Sequence, residues 1–360
     1  MNGIQVMTWS LAILVAAMLA LLVLTALGRL MRHRQRRRRD RLRDQLRPSV
    51  VALLADPDGE LQLPSTGRRS EDLFEVLSLD YLSKVRGESR DALVRELEAR
   101  GTVDAAERRV AQRGGVRRAS AAELLGRCGL PRSRDPLLEL LLHRSPEVRR
   151  VGVRALGRLG DAATVGPLLA VVDAERSVPS SIVTQSLVRV GASGIPPLRS
   201  ALRTASPAQR AVAAETLGLE RAVEAVPDLI DNLDGEDAEV RVRAVGALGR
   251  IGDPRACEPL LRSLRADESL SIATIHALGA LGDPGAVPRL SELLDDARHD
   301  VATAAAESLT RCGPDGLAAL RRCADEGGGG SRQARAAIAR HELGRLPSNI
   351  DADAIQFPVT

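Results

Sequence analysis

Residues 148–173 read VRRVGVRALGRLGDAATVGPLLAVVD, and this stretch decides the architecture. Val148, Val151, Ala155, Leu156 and Leu159 recur at steps of three and four, which puts them on one face of a helix. Gly160 can take the left-handed conformation that ends a helix, and Asp161 can accept N–H groups at the start of the next. Val165, Leu168, Leu169 and Val172 then line a second helix. The unit is a helical hairpin that cannot bury its apolar stripes alone, so neighbours must stack on it.

Outward from this stretch the pattern recurs. Leu-Gly-x-apolar-Gly appears as LGRCG at Leu125, LGRLG at Leu156, LVRVG at Leu187, LGRIG at Leu248, LGALG at Leu278 and LTRCG at Leu309, with a weaker LGLER at Leu217. The leucines are 30 or 31 residues apart. So constant a period predicts an all-α chain wound as an α-α superhelix, a solenoid extending roughly 70 Å at about 10 Å per stacked pair. Aromatic residues are 1% of the chain, so the core must be aliphatic.

The stretches at 148–173, 240–264 (VRVRAVGALGRIGDPRACEPLLRSL) and 272–296 (IATIHALGALGDPGAVPRLSELLDD) resemble HEAT-like repeats of the phycobilisome-lyase type. The resemblance covers 116–325 and implies a HEAT/armadillo-like solenoid. With YLSKVRGESRDALVRELEARG at 81–101, the layout resembles bacterial membrane-anchored HEAT-repeat proteins. Such a likeness specifies architecture and hardly specifies activity.

Residues 1–28 carry no charge, and Ile4–Met31 is apolar enough to cross a bilayer core. Ten arginines then fall within 29–47 against Asp40 and Asp44, which leaves the remainder of the chain net negative. Arg32, Arg34, Arg36, Arg37, Arg38 and Arg39 fix the topology by the positive-inside rule. The expectation is one transmembrane helix in a bacterial cytoplasmic (inner) membrane, N-terminus outside and repeats in the cytoplasm. Ala12, Ala16 and Ala20 share a helix stripe, which leaves open a weak homodimer through this segment.

The chain divides into a transmembrane helix at 4–31, a basic juxtamembrane segment and linker at 32–70, an N-terminal helical cap at 71–115, seven repeats at 116–326, a C-terminal cap helix at 327–344 and a tail at 345–360. Helices are expected at 71–85, 89–99 and 103–112 within the cap. Residues 56–69, DPDGELQLPSTGRR, read as a hinge.

Because repeats align, each reactive residue can be judged against its equivalents. Cys128 and Cys312 stand where Leu159, Val190, Ile251 and Leu281 stand, and Cys257 where Val165 and Val287 stand, so all three read as core. His276 shares a solvent-facing column with Arg154, Gln185, Glu215 and Glu307. Asp295, Asp296, His299 and Asp300 read as a solvated loop rather than a metal site, and Asp161, Asp253 and Asp283 as helix caps. No cofactor motif occurs, and the acidic body with no aromatic residue between Tyr81 and Phe357 argues against nucleic acid.

One segment departs from the pattern. Between Glu175 and Glu215 there is no acidic residue, while Arg189, Arg199, Arg203 and Arg210 fall there, with Pro196-Pro197 where other repeats have one proline. Arg199 and Arg203 lie one turn apart with no carboxylate partner on their own helix, so reversing both is expected to weaken partner capture and to spare folding. Arg189 and Arg210 lie in columns that other repeats also fill with arginine. The function expected is a non-enzymatic, membrane-anchored cytoplasmic scaffold for an unidentified protein partner. The alternatives are an accessory subunit of a membrane glycosyltransferase or secretion complex, and a HEAT-like lyase-type enzyme.

Overall fold

The computed structural model describes residues 18, 44–57, 68–112, 115–174, 177–266 and 268–343. The transmembrane helix expected over 4–31 (Met18 apart), the arginines at 32–39 and the tail at 345–360 lie outside the described residues. Among the described residues no strand occurs, and no helix is long and apolar enough to cross a membrane. Two compact units result, Met1–Cys128 and Gly129–Thr360.

In the first unit the described helices are α1 (44–55), α2 (Arg68–Leu82), α3 (Glu88–Ala99), α4 (Thr102–Ala111) and α5 (Gly115–Cys128). The helices α2, α3 and α4 fall within three residues of the limits expected for the cap at 71–85, 89–99 and 103–112. Phe74, Leu77, Leu93, Leu97, Val103 and Leu124 are buried to 2% exposure or less. Arg109 donates from both terminal nitrogens to Glu75, at 3.3 and 2.9 Å, a fork that compensates a carboxylate left almost without water. Within the juxtamembrane segment the chain is helical to residue 55, where a helical continuation of the anchor was expected to end, and Leu46, Val50 and Leu53 of this α1 are buried. Of the stretch 56–69 read as a hinge, residues 58–67 lie outside the described residues.

The second unit opens with α6 (Arg134–Leu138) and continues as pairs: α7 (Pro146–Leu159) with α8 (Val165–Asp173), α9 (Ser180–Val190) with α10 (Ile195–Thr204), and α11 (Pro207–Leu219) with α12 (Val226–Asp231). Then come α13 (Ala238–Ile251) with α14 (Cys257–Ala266), α15 (Ser271–Leu281) with α16 (Val287–Glu292), and α17 (His299–Leu309) with α18 (Gly313–Glu326). A final helix, α19 (Ser331–Leu343), stacks on α17 and α18. Gly160, Gly252 and Gly282 end their helices at φ of 68° to 75°, where a side chain would be strained. Asp161, Asp253 and Asp283 accept from the N–H two residues on, as their position suggested. What they start is a single 3-10 turn, and the second helix proper follows it.

The glycine after the signature leucine sets how close successive first helices come. A Cβ on Gly218 would lie 2.6 Å from Ala247 Cα, and one on Gly249 would lie 2.8 Å from Ala277 Cα. Neither neighbour is the flexible end of a side chain, so the backbones themselves meet. In the third repeat Val188 occupies this register.

A second column ties two of the first helices, α7 and α13, backward. Arg149, only 6% exposed, donates from Nη1 to the carbonyls of His143 (2.8 Å) and Arg144 (3.1 Å), and Arg241 does the same to Gly235 (2.7 Å) and Glu236 (2.8 Å). Each is the fourth residue of its helix. In α9 and α15 the equivalent residues are Ser180 and Ser271, and there they are the first of the helix, so a turn is missing. Beside the shortened α9, the Ser206 hydroxyl at the start of α11 donates to Asp173 at the end of α8, bridging across the third repeat.

Candidate functional site

The irregular third repeat meets the fourth through a polar cluster. Arg199 and Arg203 lie one turn apart on α10, so both guanidinium groups project from the same side of that helix. Arg199 donates from Nε to Asp228 Oδ2 and Arg203 from Nη1 to Asp228 Oδ1, each at 2.6 Å. The Asp228 side chain is 9% exposed, while those of Arg199 and Arg203 are 34% and 53% exposed. Beneath them the Asn232 side-chain amide donates to the carbonyls of Leu202 (3.3 Å) and Asp228 (2.8 Å). Burial alone would raise the Asp228 pKa, but the hydrogen bonds and charges of the two arginines outweigh it and hold the carboxyl below its usual range.

This corrects the expectation that Arg199 and Arg203 could be reversed without harm to folding. Their partner stands on the next repeat, out of reach of any argument confined to α10. Two glutamates there would surround a buried carboxylate with like charge. Asp228 was nevertheless visible in the alignment of repeats, since its column otherwise holds Pro136, Pro167, Pro197 and Pro259, with Arg289 in the sixth. After pairing, the cluster keeps one excess positive charge, carried mainly at the surface by Arg203.

Arg189 and Arg210 are not brought into the cluster. Arg189 is exposed at the end of α9. Arg210 belongs to the backward-tying column, and its Nε is buried without a hydrogen-bond partner among the described residues.

The remaining reactive residues fall into structural roles. Cys128, Cys257 and Cys312 are buried and Cys323 is half-buried. Burial, with Asp283 and Glu258 nearby, pushes the Cys257 thiol up to about 11, and burial raises Cys312 as well, so both stay protonated and poorly nucleophilic at neutral pH. His276 is half-exposed, in keeping with its column. Asp295 accepts from the Gly330 N–H, Asp296 pairs with Arg298, and His299 shares a hydrogen bond with Gln333. No group of three metal-ligating side chains occurs among the described residues. An open cleft of about 240 Å³ lies between α17 and α19, lined by Glu307, Thr310, Arg311, Ala337, Arg340 and His341, and the Arg340–Glu307 ion pair at 2.6 Å occupies its wall. That is below the size usual for a site that engulfs an organic ligand.

No curated protein matches the chain. Among solved structures, YibA of Escherichia coli is similar at 19% identity over 69% of this chain and 99% of its own, with a TM-score of 0.38. Importin beta is similar at 16% identity over 72% of this chain and 45% of its own, with a TM-score of 0.46. The CpcE–CpcF phycocyanin lyase complex of Nostoc sp. PCC7120 is similar at 16% identity over 79% and 98%, with a TM-score of 0.26. The family model described as HEAT repeats matches residues 113–188, 195–272 and 265–339. Those matches take in more than half of the sequence and interrupt only at 189–194, the turn of the irregular third repeat, and on them the chain belongs to the HEAT-repeat family.

Proposed function

We propose that this protein is a membrane-anchored cytoplasmic scaffold that holds a protein partner on its HEAT-repeat surface. The observation that carries the reading is the junction between the third and fourth repeats. There alone among the second helices a proline column gives way to a buried aspartate that fixes two arginines of the preceding repeat in place. A positioned Arg203, half in solvent and held by Asp228, loses less freedom on meeting an acidic segment than an unrestrained side chain would. The apolar stretch at 4–31 and the arginines that follow it support the anchor and its orientation.

The test compares full-length chains purified from solubilised membranes. Wild-type protein should bring down one stoichiometric protein, and Arg203→Gln, which removes the charge but keeps an amide that can donate to Asp228, should lose most of it at low salt while retaining the wild-type melting temperature to within a few degrees. Equal recovery by both chains at low ionic strength would remove Arg203 from the contact. The absence of any stoichiometric companion would remove the scaffold reading itself.

A further inference from the structure

Three aliphatic side chains on α1, Leu46, Val50 and Leu53, follow the i, i+4, i+7 spacing of a single stripe and are buried to 0%, 0% and 5% exposure. The residues between them, Arg47, Val51 and Ala52, are exposed. Such a helix has one face given wholly to the interior of the first unit.

The far end of α1 is closed as carefully as its stripe. A helix C-terminus leaves carbonyls without intrahelical partners. Here the Ser89 hydroxyl donates to the Leu54 carbonyl at 2.8 Å and Arg95 donates from Nη2 to the Pro57 carbonyl at 3.0 Å, both from α3. Arg47 donates to the Tyr81 hydroxyl of α2 at 3.3 Å. Two helices further along the chain, α2 and α3, thus hold this short segment at its rim and its end.

The position of α1 in the chain gives this docking its meaning. It lies directly after the arginine-rich residues 32–43 and before the stretch 58–67 that leads to α2. We infer that the first unit grips the cytoplasmic continuation of its own anchor, so that the repeat-bearing chain is fastened to the membrane-spanning segment twice: covalently through 56–67, and noncovalently through the α1 groove. The inference rests on the anchored reading above. Because both partners belong to one chain, the groove meets α1 at the high effective concentration of an intramolecular contact, and a modest interface suffices to keep it closed.

The experiment separates the two fastenings. In the full-length chain residues 60–66 are replaced by the recognition sequence of a site-specific protease, membranes are isolated and cut, and the fragment that begins after the cut is followed by sedimentation. The wild-type fragment should stay with the membranes although no covalent link remains. Leu46→Asp together with Val50→Asp should release it, lowering the retained fraction at least about tenfold, since two buried aliphatic contacts are lost. Release of the wild-type fragment to the same extent as the variant overturns the inference. Uncut chain in the supernatant instead overturns the anchor. A second measurement needs no variant: amide hydrogens of residues 46–54 in the intact chain should exchange far more slowly than in a free peptide of residues 44–57, and equal exchange overturns the docking whatever the variant does.

Discussion

Where α11 meets α13, Gly218 leaves Ala247 Cα 2.6 Å from the place a side chain would fill, and the two backbones run against each other. Where α9 meets α11, Val188 stands in the glycine's register, α9 has lost its first turn, and α11 reaches past it to α8 through Ser206 and Asp173. The second helices at that junction are joined by Arg199, Arg203, Asp228 and Asn232. One junction is specified by absence of volume and the other by matched polar groups. Close packing tolerates almost no change in size, whereas an ion-paired junction tolerates size and responds to charge and pH.

The contrast can be broken at its best-packed point first. Leu248→Ala removes a fully buried side chain of α13 and should cost roughly 2–5 kcal/mol, read as a lowered midpoint in chemical denaturation. A loss under about 1 kcal/mol would mean that α13 is not the packed element it appears from its burial. Next, Gly218→Val should cost about 1–3 kcal/mol or more by overpacking, while Val188→Ala, the nearest equivalent change at the other junction, should cost about 1 kcal/mol or less. Similar costs at the two positions would erase the distinction between the junctions.

Asp228→Asn sharpens the comparison from the polar side. It should cost about 1–2 kcal/mol at neutral pH, since the two hydrogen bonds lose their charge. The folded carboxyl titrates below its usual value, so its contribution is complete above the unfolded pKa of about 3.9 and disappears as pH falls through the lower folded value. The difference between wild type and variant should therefore be flat from neutral pH to about 5 and close below about 4, in melts taken across that range. A difference that grows on acidification would reverse the assignment. Smallest of all, His276→Ala should change stability by no more than about 0.5 kcal/mol, since its column is half-exposed.

What was legible in the sequence is what acts within one helix or one turn. The period of the signature leucines, the left-handed glycines 160, 252 and 282 and the three capping aspartates all depend on neighbours a few residues away, and each is found where its pattern put it. The contacts that were not legible join residues about a repeat apart or further. Arg199 and Asp228 are 29 positions apart, and nothing in α10 announces the carboxylate. The α1 stripe consists of only three residues, Leu46, Val50 and Leu53, on a short helix that directly follows a run of arginines, and its burial depends on α2 and α3 much further along the chain. The proline column broken by Asp228 shows that comparing repeats with each other recovers part of this longer-range information.

Arg149 and Arg241 reach backward, from the fourth residue of a first helix to the carbonyls of the loop that closes the repeat before. The information that finishes one hairpin is therefore written in the next. A segment cut at the hairpin boundaries and moved elsewhere would leave its last loop unsealed and carry an arginine suited to a loop it no longer follows. The unit that can be copied or exchanged intact runs from one second helix through the loop to the following first helix, so that duplication, deletion or grafting in this chain should succeed when the breakpoints fall at the glycine turns 160, 252 and 282 rather than between repeats.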